Sequence, residues 1–212
     1  MGGLFHQEKR MTRQLGISLL LASALVIGAG RVRTIAAGGT IEGAVTSGGA
    51  ALADAVVYID KAPGAFAPAG PAKMDQRNMT FTPHVLPVLA GTTVRFLNSD
   101  PTQHNVFSPD FEKYNLGTWP QGQTKDQVFA KCAKPPCAYV QLCRIHPEME
   151  AYVVVLQNPF FAVTDRDGHY RIENVAPGAY SLGVWAAKGK SPAKPVTVDA
   201  GKPARVDFTV GR

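Results

Sequence analysis

Short runs in which apolar and polar residues alternate dominate the second half of this chain. The segment Phe161–Ile172 alternates around an Asp-Gly pair, and Glu173–Trp185 alternates around a Pro-Gly pair. Such alternation predicts half-buried β-strands, and the turn residues between the runs predict hairpins. Two further runs, Pro195–Asp199 and Ala204–Val210, continue the pattern. Because no long amphipathic helical stretch occurs outside the N-terminus, we expect an all-β protein.

The N-terminus has the pattern of an export signal. A basic stretch that ends at Arg13 precedes an apolar stretch, Leu15–Gly30. This order is typical of a secretory signal, and the apolar stretch is short for a membrane span, which needs about 20 residues. We therefore expect residues 1–37 to be a signal peptide and the rest to be periplasmic or otherwise extracytoplasmic. An uncleaved signal anchor, which alone would imply membrane contact, and a start at Met11 stay open.

The basic charge of the chain is concentrated in this N-terminal segment. The whole chain carries a formal net charge of +6, of which residues 1–37 contribute +4. The remaining net charge of +2 does not indicate the basic surface patch that nucleic-acid binding requires. We therefore expect no nucleic-acid partner.

The motif with the clearest chemistry is a Cys-x2-His-x2-Met spacing formed by Cys143, His146 and Met149. Thiolate and thioether are soft ligands that favour copper, and imidazole suits copper as well. A blue-copper site combines two His, one Cys and a weak axial Met, and His104 is the candidate for the second His. The spacing predicts one type 1 copper ion per chain. The alternative is that Cys, His and Met here have ordinary roles in the core and at the surface.

The segment 72–157 resembles the cupredoxins, the plastocyanin- and amicyanin-like blue copper proteins. The resemblance rests on the ligand loop, which is similar to that of amicyanin, and on an F-x-P…G-x-x-V-x-F-x-N-x-D…H-x-V pattern between Phe81 and Val106. It implies a Greek-key β-sandwich in which His104, Cys143, His146 and Met149 bind copper. It also implies a carrier of single electrons rather than an enzyme. A periplasmic dehydrogenase and a c-type cytochrome are the redox partners that the amicyanin-like loop suggests.

The same resemblance gives expectations for the surroundings of the copper. His146 is expected to lie nearest the surface, within an apolar patch for which Pro83, Phe107 and Pro147 are candidates. Neutral imidazole ligands are expected to be held by hydrogen bonds at their other ring nitrogen. Asn98 and Asn105 are candidates for supporting the ligands, with simple turn chemistry as the alternative for both.

The C-terminal strands resemble a second family, the carboxypeptidase regulatory-like domain, a small transthyretin-like β-sandwich. A D-x-x-G-x-Y-x-I pattern followed by V-x-P-G-x-Y-x-L matches over Asp165–Leu182. The opening strand of that domain resembles a stretch that precedes the copper segment. We therefore predict a discontinuous domain of residues 38–62 and 158–212, with the cupredoxin domain, residues 72–157, inserted into it. The competing interpretation assigns the first strands to the copper sandwich itself.

The two remaining cysteines, Cys132 and Cys137, are expected to form a disulfide, which an exported chain permits. Two unpaired thiols are the alternative. A structural zinc site formed by Cys132, Cys137, Cys143 and His146 is a second alternative. A third is a copper-binding carrier, storage or cell-surface structural protein that has no role in electron transfer.

Overall fold

The computed structural model describes Gly2, residues 38–130 and residues 132–211. Apart from Gly2, the predicted export signal lies outside the described residues. The described residues from Gly38 onward belong to one compact unit, and all their regular elements are strands. No described residues form a helix long and apolar enough to cross a membrane. The all-β prediction is confirmed.

Eighteen strands make up this part of the chain. They are β1 (Gly39–Ser47), β2 (Ala50–Ala51), β3 (Val56–Ile59), β4 (Ala72–Arg77), β5 (Thr80–Thr82), β6 (Val85–Leu89), β7 (Thr92–Asn98), β8 (His104–Ser108), β9 (Tyr114–Trp119), β10 (Thr124–Phe129), β11 (Cys137–Leu142), β12 (Glu150–Leu156), β13 (Phe161–Val163), β14 (His169–Val175), β15 (Gly178–Trp185), β16 (Lys194–Val198), β17 (Pro203–Arg205) and β18 (Phe208–Val210).

The strands form four sheets, which we number in the order in which they stack. Sheet I has the strand order β10-β7-β4-β5, and sheet II has the order β6-β12-β11-β8-β9. Sheet III has the order β13-β3-β15-β16, and sheet IV has the order β14-β1-β17, with β2 and β18 also paired to β1. Residues 72–156 thus build sheets I and II, whereas residues 39–59 and 161–210 build sheets III and IV.

Sheets I and II enclose the apolar cluster that we call the first core. Its buried members are Met74, Phe81, Val88, Val94, Phe96, Val106, Trp119, Phe129, Cys137, Tyr139, Cys143, Met149, Ala151, Val153 and Val155. Inward-facing residues of two sheets that pack face to face form a core of this kind. Two of the predicted metal ligands, Cys143 and Met149, belong to it.

A second cluster, the middle core, joins sheet II to sheet III. It consists of Val56, Val85, Val154 and Leu156. Strand β12 alternates between the two cores, because Val153 and Val155 face the first core while Val154 and Leu156 face the middle core. This explains why the run is continuously apolar, since both of its faces are covered.

Sheets III and IV enclose the last core. Ile41 from β1, Val57 from β3, Ile172 from β14 and Leu182 from β15 are among its buried members. Strand β1 pairs with β14, where Ile41 is opposite Ile172, and β3 pairs with β13 and β15. The first strands of the chain are therefore hydrogen-bonded to the last ones, and the copper-like segment lies between them in sequence.

Because the middle core joins sheet II to sheet III, we expect the sandwich of sheets I and II and the sandwich of sheets III and IV to stabilise each other. Leu156 is 2% exposed, and Leu156→Ala should lower the free energy of unfolding by about 2–5 kcal/mol, because it removes apolar contacts and leaves a cavity. Val128 is 48% exposed, so Val128→Ala should change the stability by no more than about 0.5 kcal/mol. Denaturant unfolding followed by fluorescence and circular dichroism measures both variants. A Leu156→Ala effect as small as that of Val128→Ala would contradict the packing of sheet II on sheet III.

Candidate metal centre

The predicted ligands come from one end of sheet II. Strand β11 ends at Leu142, β12 begins at Glu150, and these two residues are paired in the antiparallel ladder. The loop 143–149, which carries three of the candidate ligands, therefore connects two adjacent strands. Strand β8 begins with His104, and its Phe107 pairs with Leu142 of β11. This pairing places the fourth candidate beside the loop.

Three of the four predicted ligands converge on one point. The Nδ1 atoms of His104 and His146 are 3.0 Å apart, and the Sγ atom of Cys143 is 4.0 Å from Nδ1 of His104. All three donor atoms lie within 4.8 Å of one another. Within the described residues, no other group of three His, Cys, Asp or Glu side chains converges in this way.

The two separations that involve His104 fit a single metal ion. Bonds of about 2.0 Å to nitrogen and about 2.3 Å to sulfur, as in zinc sites, allow two donors of one ion to be up to about 4 Å apart. The distances from Nδ1 of His104 to the other two donors, 3.0 and 4.0 Å, are within this limit, and all three donors lie within 4.8 Å of one another. Two nitrogens and one sulfur are also the donor set of a trigonal copper site.

The centre is buried apart from one ligand. His104 is fully buried, Cys143 and Met149 are buried in the first core, and His146 is half-buried. The backbone amide of Met149 donates a hydrogen bond to the carbonyl of His146 (3.0 Å), which tightens the loop between these two residues. Met149 and Cys143 are members of the same buried core.

The orientation of His104 is set by a carboxylate. Its Nε2 atom is 2.8 Å from Oδ2 of Asp100, which is also buried. The carboxylate accepts hydrogen bonds from the backbone amides of Asn78 (2.6 Å) and Met79 (2.9 Å). Burial pushes the pKa of Asp100 upward, but the hydrogen bonds from Met79, His104 and Asn78 together hold this pKa below its usual value. The carboxylate is therefore ionised, and Nδ1 of His104 is left for a metal. The sequence analysis assigns Asp100 no role.

The two asparagines support the centre in different ways. The backbone amide of Asn105 points at Sγ of Cys143 (3.4 Å), and a hydrogen bond of this kind stabilises a thiolate. This contact comes from the backbone, whereas the side chain of Asn105 donates from Nδ2 to Oδ1 of Asn115 (2.8 Å) and to the carbonyl of Gly117 (2.7 Å) in β9. Asn98 donates from Nδ2 to the carbonyls of Thr102 and Trp119 (2.8 and 3.0 Å), and so it fixes the segment that leads to His104.

The surface next to His146 is less uniformly apolar than the sequence suggests. Pro83 and Pro147 are exposed, in agreement with a surface role. Phe107 is half-buried, and the guanidinium of Arg144 lies 5.0 Å above the centre of its ring. One face of this ring is therefore covered by a cation, which a cation–π attraction holds there.

The other two cysteines are joined to each other. Cys132 and Cys137 form a disulfide with a Cα–Cα distance of 5.6 Å, whereas Cys143 is free and buried. A disulfide sulfur carries no thiolate for a metal. The zinc site composed of Cys132, Cys137, Cys143 and His146 is therefore incompatible with the structure.

Comparison with known proteins identifies the C-terminal family. Residues 147–211 match the family model of the carboxypeptidase regulatory-like domain, which confirms that resemblance over this range. The match begins within the ligand loop and includes β12 as well as the strands from β13 onward. No curated protein matches the chain in sequence.

Solved structures similar to part of this chain include a copper enzyme and several cupredoxins. A Cu-containing nitrite reductase (NirK) from Thermus scotoductus SA-01 is 26% identical over 48% of this chain, with a TM-score of 0.38, and this chain spans only 25% of it. A purple cupredoxin from Nitrosopumilus maritimus is 24% identical over 40% of this chain and 98% of its own length, with a TM-score of 0.36. A reduced Cu(I) form of an amicyanin mutant is 23% identical over 47% of this chain and 97% of its own length, with a TM-score of 0.37. The chain is therefore similar to carboxypeptidase regulatory-like domains at its C-terminal end and to cupredoxin structures over less than half of its length.

Proposed function

We propose that this protein is an exported type 1 copper protein that carries single electrons between redox partners. One copper ion is held by His104, Cys143 and His146, with Met149 as a weak axial ligand. The observation that carries the proposal is the convergence of two imidazole nitrogens and one cysteine sulfur within 4.8 Å of one another. We propose a carrier and not an enzyme.

The choice of copper follows from the softness of the donors. A thiolate from Cys143 and a thioether from Met149 suit copper better than harder ions, and imidazole binds copper in both oxidation states. Binding of the ion removes the proton of Cys143, because the thiolate is the ligand. The disulfide elsewhere in the chain leaves Cys143 as the one free thiol among the described residues.

The choice of electron transfer follows from how firmly the ligands are held. Asp100 fixes His104, the amide of Asn105 supports the sulfur of Cys143, and β11 and β12 fix both ends of the ligand loop. A scaffold that keeps the same donors for Cu(II) and Cu(I) makes the rearrangement on electron transfer small. His146 is the half-buried ligand, so we propose that electrons enter and leave through it.

The partners that we propose are redox proteins, with a periplasmic dehydrogenase as donor and a c-type cytochrome as acceptor. Ile145, which is 44% exposed, and the exposed Pro147 flank His146 and offer apolar contacts for docking. Arg144 adds a positive charge beside them. An extracytoplasmic location is supported by the disulfide, since such bonds persist in oxidising compartments.

Removal of the thiolate tests the copper assignment. Cys143→Ser should abolish the intense visible absorption of the Cu(II) protein, because this absorption arises from charge transfer between thiolate and copper. The double variant Cys132→Ser with Cys137→Ser is the matched control and should keep both copper and colour. Copper content by mass spectrometry and the absorption spectrum measure the result. A Cys143→Ser variant with full copper and full colour would refute the proposed site.

Replacement of the axial thioether separates an electron carrier from a copper store. Met149→Leu should leave copper bound, since the two His and the Cys provide most of the affinity, and should raise the reduction potential because Cu(II) loses a donor. If the thioether favours Cu(II) over Cu(I) by a factor of ten, the rise is about 59 mV.

The control for this variant is Met74→Leu, since Met74 is another fully buried methionine of the first core. Both swaps conserve volume and should cost less than about 1.5 kcal/mol of stability. Voltammetry and thermal unfolding are measured on both variants. Equal losses of stability with unchanged potentials would mean that Met149 only packs the core, and a storage role would then be favoured.

A further inference from the structure

Each oxygen of the Asp100 carboxylate accepts a hydrogen bond from a backbone amide, and one of them also faces His104. Its Oδ1 atom accepts from the amide of Asn78, and its Oδ2 atom accepts from the amide of Met79 and faces Nε2 of His104. The two backbone amides are fixed donors, one at each oxygen, and an ionised carboxylate accepts from both of them and can still accept from the imidazole. An asparagine in this place would turn its NH2 group towards at least one N–H.

This arrangement sets the tautomer of His104. Because the facing oxygen of Asp100 has no proton to donate, the hydrogen between the two groups belongs to Nε2 of His104. The lone pair of the imidazole then lies on Nδ1, which is the atom that faces His146 and Cys143. Both side chains are almost fully buried, with exposures of 0% for His104 and 7% for Asp100, so water does not compete for this bond.

Asp100 is itself fixed by the surrounding strands. Its backbone amide donates to Oδ1 of Asn98 (2.9 Å), whose Nδ2 atom donates to the carbonyl of Trp119. Trp119 is the residue paired with His104 across the β8–β9 ladder. The carboxylate, the imidazole and the residue opposite the imidazole thus form one closed network.

The network also reaches sheet I. Asn78 and Met79 form the turn between β4 and β5, and both have positive φ angles of 55° and 54°. A non-glycine residue rarely adopts this conformation, so a turn with two such residues needs support. The bonds from both amides to Asp100 provide it, and they connect a turn of sheet I to a ligand on sheet II.

We propose that Asp100 is the positioning residue of the copper site. It holds His104 as the tautomer with a free Nδ1, and its negative charge makes the imidazole a stronger donor to Cu(II) than to Cu(I). A carboxylate bound to a ligand imidazole fixes its tautomer and raises its basicity in metal sites generally, and a more basic imidazole favours Cu(II), the ion with the higher charge. Asp100 therefore lowers the reduction potential of the site. This inference rests on the proposed function.

Asp100→Asn tests the proposal, because it keeps the shape of the side chain and removes its charge. We expect Cu(II) to bind about 10–100-fold more weakly, which is the usual cost of losing such a partner. We expect a smaller loss for Cu(I), so the reduction potential should rise. Competition titrations with each ion and voltammetry measure these quantities.

Asp75→Asn is the matched control. Asp75 accepts a hydrogen bond from Oγ of Ser99 (2.8 Å), the residue that precedes Asp100, whereas Nε2 of His104 is bonded to Asp100. This variant removes one negative charge from the same region and should leave affinity and potential nearly unchanged. Asp100→Glu keeps the charge and should raise the potential less than Asp100→Asn does. Equal effects of Asp75→Asn and Asp100→Asn would overturn the proposal, since they would show a general effect of charge.

A measurement on the metal-free protein separates this proposal from the proposed function. Nitrogen NMR of the unsubstituted protein should show the His104 tautomer that carries hydrogen on Nε2, and this test does not depend on the folding of any variant. Hydrogen on Nδ1 would overturn the proposal even if copper binds as proposed. If the Nε2–H tautomer is found but the protein binds no copper, the proposed function fails while the positioning of His104 by Asp100 stands.

Discussion

Strand β12 is buried on both faces, and most of the structure depends on this fact. Its Val153 and Val155 pack into the first core, and its Val154 and Leu156 pack into the middle core. The same strand begins at Glu150, directly after Met149, and pairs from Glu150 to Val155 with β11, the strand that ends before Cys143. The ligand loop is therefore fixed to a strand that cannot shift without disturbing two cores. A rigid support of this kind is what a site for rapid electron transfer needs.

The double burial of β12 also bears on where one unit ends and the next begins. The match to the carboxypeptidase regulatory-like domain starts at residue 147, whereas the sequence predicts that domain's second part to start at 158. Strand β12, residues 150–156, lies between these two positions. Its backbone is paired within sheet II, but its Val154 and Leu156 belong to the same core as Val56 of sheet III. Strand β12 thus packs against both sandwiches. This double packing accounts for the difference between the start at residue 147 in the family match and the start at 158 predicted from the sequence.

How much the sequence could predict depends on how local each signal is. The spacing of Cys143, His146 and Met149 is local, so the ligand loop could be found directly, and the alternating C-terminal runs predicted strands for the same reason. The apolar run Tyr152–Leu156 is typical of a strand, but its sequence does not show which sheets cover its two faces. The role of Asp100 could not be predicted, because it depends on two amides more than 20 residues earlier in the chain that tertiary structure brings to it. The cation above Phe107 was missed for a similar reason, since Arg144 reaches it only because β8 and β11 are adjacent.

The central claim is that one preformed set of donors holds copper in both oxidation states. X-ray absorption spectroscopy of the copper-loaded protein, oxidised and then reduced, measures this most directly. The account predicts one short copper–sulfur distance and two copper–nitrogen distances in each state, with the same number of ligands and almost unchanged lengths. Loss of the sulfur or of a nitrogen on reduction, or a first shell without sulfur in either state, would contradict it.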